Sequence, residues 1–143
     1  MNGLTEVSFD VGEYAEIIDL FLPDTAYFDI SVASGTSRNR APGDIKPSWK
    51  WNSNLETDPS YSWRREYRQA ISQVNWYTRQ HGSRYGFILT EKELVVWRRL
   101  DNFGNLELAD PIPFVRGGTT AQPQLQFCWR CELFICTPQN ANR

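Results

Sequence analysis

The sequence predicts an α/β domain, a small mixed β-sheet flanked by helices. Three observations predict it. Residues 58–80 carry Trp63, Tyr67, Ala70, Val74 and Tyr77 at a 4-3-4-3 spacing, the stripe of an amphipathic helix. Residues 85–90 (YGFILT) and 93–100 (ELVVWRRL) are rich in β-formers and are separated only by Glu91-Lys92, as in a hairpin. Residues 43–51 (GDIKPSWKW) alternate with period 2. Asp44, Lys46, Ser48 and Lys50 fall on one side of that segment, and Ile45, Pro47, Trp49 and Trp51 on the other.

The chain has 143 residues, enough for one domain over 1–143 with a sizeable core and not for two. Hydrophobic residues make up 41% and charged residues 22%, a globular composition. A net charge of −2 decides nothing about a nucleic-acid partner, but its distribution is polar. Glu6, Asp10, Glu13, Glu16, Asp19, Asp24 and Asp29 all precede the first base, Arg38. Between Arg64 and Arg99 stand eight bases against three acids. That order suits an acidic metal-binding cluster beside a basic phosphate-binding face, and equally an uneven spread of surface charge. No apolar run approaches a membrane span, so no membrane partner is expected. Three cysteines without a signal-peptide pattern point to a reducing intracellular compartment, cytoplasm or nucleus.

The elements follow in order. Residues 11–22 have apolar side chains at Val11, Tyr14, Ala15, Ile18 and Leu22, near helical spacing, and Pro23 ends the run. The pairs Ile17-Ile18 and Phe21-Leu22 leave a strand open there. Residues 26–33 read as a strand, with Phe28, Ile30 and Val32 on one face and Asp29 and Ser31 on the other. Residues 34–42 are a polar loop, and the alternating strand 43–51 follows. Asp58-Pro59 supplies an N-cap and a first helical proline; the helix runs to about Gln80 and stops at Gly82. After the hairpin, residues 101–105 turn and 106–109 add a short strand. Trp49, Trp51, Val74, Phe87 and Val95 are the expected core. Residues beyond about 114 lie outside the recognisable pattern, although 127–135 (FCWRCELFI) could dock as a helix or a strand. Cys128, Cys131 and Cys136 lack a fourth ligand nearby, since the only histidine is His81; zinc is disfavoured and buried thiols expected.

Asp44-x-Lys46 on one strand face suits a metal-dependent phosphodiesterase, the carboxylate holding a divalent cation and the lysine meeting the same site. It suits a solvated strand face as well. The order is helix, strand with Asp29, strand with Asp44-Ile45-Lys46, helix with Gln73 and Tyr77. It resembles the PD-(D/E)XK nuclease superfamily, and Gln73-x-x-x-Tyr77 matches the signature of its RecB-like branch. Residues 85–114 also resemble a segment of uncharacterised fungal proteins with this kind of core. The resemblance spans roughly residues 13–113. It implies a restriction-endonuclease-like core that hydrolyses phosphodiester bonds, in DNA by expectation, with one or two Mg²⁺ ions.

Carried over residue by residue, Asp29, Asp44 and the Ile45 carbonyl would hold metal. Lys46 would act on the attacking water and Gln73 beside the scissile phosphate. Asp24 is the alternative to Asp29, because Asp29 lacks the preceding proline of the family's name. Glu13 or Glu16 could reach a second ion. Lys50, Arg64, Arg65 and Arg68 are candidate nucleic-acid contacts, or the solvated face of an ordinary helix. Pro47 must end, bulge or edge the strand that carries Lys46. A domain that keeps this fold without catalysis, as a binding module, is the alternative.

Overall fold

A computed structural model describes residues 6–114. The cysteine run and segment 127–135 fall outside them. The fold is mixed α/β, with a seven-stranded mixed sheet and one α-helix among the described residues. The strands are β1 (Val7–Val11), β2 (Thr25–Asp29), β3 (Gly43–Ile45), β4 (Tyr85–Leu89), β5 (Glu93–Arg99), β6 (Leu106–Leu108) and β7 (Ile112–Pro113). The first six lie side by side in chain order, and β7 pairs with β5. All pairings are antiparallel except β3 with β4. A parallel step needs a crossover, and α1 (Tyr61–His81) supplies it.

Helix α1 forms where the apolar stripe predicts. Tyr67, Ala70, Val74 and Tyr77 are buried with Ile71, and they pack with Trp51, Ile88, Val95 and Trp97. Trp63, the first residue of the expected stripe, is 43% exposed because the sheet does not extend beneath it. Gly82 stops the helix in the left-handed conformation, φ 64°, and returns its amide to Arg79. The start is later than expected: Ser60 is the N-cap, and the Asp58 side chain accepts from the Ser60 amide instead.

Three expectations fail. The strand expected over 26–33 ends at Asp29, and Ile30 and Val32 are exposed beyond it. Residues 11–22 form no α-helix. β1 ends at Val11, a short 3₁₀ turn covers Gly12–Tyr14, and a two-residue turn links Ile18 to Phe21 with Asp19 and Leu20 at positive φ. Contact with β2 sets the path instead: Ala15 packs on Ala26 and Phe28, and Gly12 lies so close to the Pro23 carbonyl that a Cβ would stand 1.8 Å from it. The strand 43–51 stops at Ile45. Lys46 still donates its amide to Leu89, but Pro47 has no amide to give, and its carbonyl accepts from Lys50 and Trp51 in a tight turn. The turn breaks the alternation. Trp51 is buried, stacked on Tyr67 at 5.4 Å, whereas Trp49 is 77% exposed.

Register assigns the two sheet faces. Gly43 pairs with Thr25 and Phe87, which puts Thr25, Tyr27, Gly43, Phe87 and Leu89 on one face. Asp24, Ala26, Phe28, Asp44 and Ile88 therefore share the other, the face that α1 covers. Ala15 packs with Ala26 and Phe28 on that same face. The segment after β1 thus covers β2, α1 covers β4 and β5, and β3 lies between the two covers.

Candidate functional site

Asp44 sits on β3, between those two covers, and is buried. Its side chain is 7% exposed, and its Oδ2 lies 2.6 Å from Lys46 Nζ. The approach is short but poorly directed, so this buried oxygen has a charge partner and no well-aligned donor. The second carboxylate is Asp24. Its Oδ2 accepts from the amide of Ile45, the residue after Asp44, at 2.9 Å. Burial pushes the Asp44 carboxyl up to about 6. The Asp24 hydrogen bond and charge add to the rise, while Lys46 opposes it.

Asp24 reaches this position because the chain around it is tied down. Its carbonyl accepts from the Gly12 amide at 3.1 Å, and Thr25 opens β2 opposite Gly43. Asp29 is at the other end of β2, opposite Val7. It accepts from the Ser31 amide and hydroxyl and from Arg40 at 3.4 Å, and the Ser31 hydrogen bonds hold its pKa low. It is four residues along the strand from Thr25, about 13 Å of chain. The structure therefore sets Asp29, expected beside Asp44, at the far end of β2, and brings the alternative acid, Asp24, to the Ile45 amide next to Asp44.

Gln73 and Tyr77 lie together on α1, with Gln73 Nε2 donating to the Tyr77 hydroxyl at 3.0 Å. Ser72, Asn75, Trp76 and Arg79 face the β5–β6 turn across a shallow hollow with Phe103 and Gly104. The opposite flank, with Gln73, Tyr77 and Gln80, therefore faces β2 and β3. Gln80 confirms the direction, since its side chain reaches Asp19 at 3.5 Å and its carbonyl accepts from Arg38. Gln73 also borders an open groove of about 420 Å³ along α1, with Tyr61, Arg65, Arg68, Gln69 and Ser72. Arg65 and Arg68 are exposed there, and Lys50 is exposed beside Trp49. Arg64 is not free for a ligand, because its guanidinium donates to the Asp58 and Pro59 carbonyls and closes the start of the helix. Glu16 faces Arg38 at 3.9 Å. His81 is buried, with Nδ1 accepting from the Asn39 amide.

Sequence reasoning did not single out Glu91. Its carboxylate takes both the amide and the hydroxyl of Ser48, two residues after Lys46. Those hydrogen bonds hold the Glu91 pKa low and fix the turn that follows the Asp-x-Lys. A hairpin acid gives no sequence signal of such a long-range contact.

Among the described residues no group of three or more His, Cys, Asp or Glu gathers as a metal cage. Mg²⁺ does not require one. It is commonly held by one or two carboxylates and keeps several waters. The carboxylates of Asp24 and Asp44 fit that donor set, with Lys46 as the present charge partner of Asp44. No helix among the described residues is long and apolar enough to cross a membrane. No family model matches the chain, and no curated protein matches it.

Proposed function

We propose that this chain is a Mg²⁺-dependent nuclease with a PD-(D/E)XK-like core, hydrolysing phosphodiester bonds in DNA. The observation that supports the reading is that Asp44 pairs with Lys46 at 2.6 Å while Asp24 accepts from the neighbouring Ile45 amide, so two carboxylates and a lysine meet at β3. In this reading Asp24, Asp44 and the Ile45 carbonyl bind the cation, which when bound supplies charge neutralisation at the phosphoryl oxygens.

The chain's own residues do the rest. Asp44 must lose its proton to act, and Lys46 favours that loss. Lys46 Nζ, held near Asp44, orients the attacking water and offsets the negative charge that builds on the phosphoryl group. The Gln73 amide has a second N–H to donate to a substrate phosphate, while its bond to the Tyr77 hydroxyl fixes its rotamer. Arg65, Arg68 and Lys50 are exposed, and in this reading they contact phosphates, which positions a strand without reading its sequence.

The test is cleavage of single- and double-stranded DNA with Mg²⁺ or EDTA, by wild type and Asp44→Ala. The expected result is Mg²⁺-dependent cutting that the variant lacks while it remains folded. Wild-type rates in Asp44→Ala would refute the assignment. The second reading, a nuclease-fold module that binds without cutting, is favoured by the closed Asp44–Lys46 ion pair, and binding without cleavage in the same assay would select it.

A further inference from the structure

The turn after Lys46 holds a large aromatic ring in solvent and fixes the residues on both sides of it. Ser48 is buried, with its amide and hydroxyl on the Glu91 carboxylate. Lys50 and Trp51 donate their amides to the Pro47 carbonyl, and the Trp51 indole is buried in a stack on Tyr67, nearly parallel at 4°. Between these anchors Trp49 is 77% exposed. An indole left in water gives up its burial energy, and here the backbone beneath it is held rather than free to turn it inward. A ring ordered in advance loses little freedom when a flat partner stacks on it.

The surroundings narrow the partner. Trp49 is three residues from Lys46, at the edge of the proposed phosphate site. Lys50 beside it is exposed and has no ion pair among the described residues. A planar group joined to a phosphate matches an aromatic face next to cationic side chains, and a nucleobase is such a group. A base inside a duplex shows only its edges, so one that stacks on Trp49 must be unpaired.

We propose that Trp49 is a base-stacking platform, and that the substrate presents an unpaired base beside the scissile phosphate, as in single-stranded or frayed nucleic acid. Glu91 is then a positioning residue, because it holds the turn that displays the ring. The proposal rests on the phosphodiesterase reading and specifies its substrate.

The experiment is equilibrium binding of labelled oligonucleotides in EDTA, where no cleavage occurs, with sedimentation run in parallel. Trp49→Ala should weaken binding of a single-stranded oligonucleotide by about 5- to 150-fold, the measured range for one stacked base. Trp49→Phe, which keeps an aromatic face, should retain most of the affinity. An oligomer of abasic sugar-phosphate units should bind wild type and Trp49→Ala alike. Equal binding of the base-bearing oligonucleotide by wild type and Trp49→Ala overturns the platform and leaves the phosphodiesterase reading standing. No binding of any oligonucleotide by wild type overturns both. If Trp49→Ala converts a dimer to a monomer while oligonucleotide affinity stays unchanged, the ring serves self-association and the platform is wrong.

Discussion

Replacing Asp44 by asparagine should stabilise the protein, and by an amount that depends on pH. Asparagine has nearly the shape of the protonated acid and cannot ionise. In the wild type the Asp44 pKa rises from 3.8 to about 6, so the folded state holds this proton more tightly than the unfolded chain does. The sign follows from linkage. Between pH 3.8 and about 6 the folded protein binds more protons than the unfolded one, so stability falls as pH rises through that window. Above it the ionised carboxylate costs its full penalty. About 2 pKa units at 1.36 kcal/mol each give about 3 kcal/mol, and solvent screening reduces this to about 2 kcal/mol.

Asp44→Asn should therefore exceed wild type by about 2 kcal/mol at pH 7.5 and by under about 1 kcal/mol at pH 4.5. Urea unfolding at both pH values measures the difference. A variant less stable than wild type at pH 7.5, or a gap that does not change with pH, would refute the burial argument. The trade of stability for a strained carboxylate is common at active sites.

Other perturbations have equally definite outcomes. Mg²⁺ should raise the melting temperature of wild type at pH 7.5, and the rise should shrink as pH falls through about 6, where Asp44 regains its proton. Thermal shifts in Asp24→Asn should show no such rise. Lys46→Ala should lower turnover with little change in DNA affinity, whereas Lys50→Ala should at most weaken binding and flatten its salt dependence; the reverse pattern in kinetics would move the site to the far end of the turn. Gly43→Ala would place a Cβ 2.1 Å from the Phe87 ring, and the forced repacking should cost about 1–3 kcal/mol in urea unfolding. An unchanged midpoint would show that β3 and β4 pack otherwise.

The helix and the hairpin were legible because their signals are local. The stripe from Tyr67 to Tyr77 and the pair of β-rich runs each lie within one element, and packing reinforces what the pattern says. Asp44 and Lys46 were legible as neighbours because they are two residues apart. The N-terminal segment was not, since apolar residues at 11, 14, 15, 18 and 22 satisfy helical spacing while tertiary contact with β2 dictates an irregular cover. The choice between Asp24 and Asp29 depends on how far β2 extends and where it meets β3, which is a matter of register. The Pro23-Asp24 pair was the available clue. The exposure of Trp49 followed from one residue, Pro47, which ended the alternation that would have buried it.

The central claim is that Asp24 and Asp44 are the paired acids of a Mg²⁺-dependent phosphodiesterase. The most direct test compares DNA cleavage by wild type, Asp24→Asn and Asp29→Asn in one assay with Mg²⁺. Asp24→Asn should be inactive, and Asp29→Asn, which touches only contacts to Ser31 and Arg40, should cut near the wild-type rate. An inactive Asp29→Asn beside an active Asp24→Asn would contradict the claim.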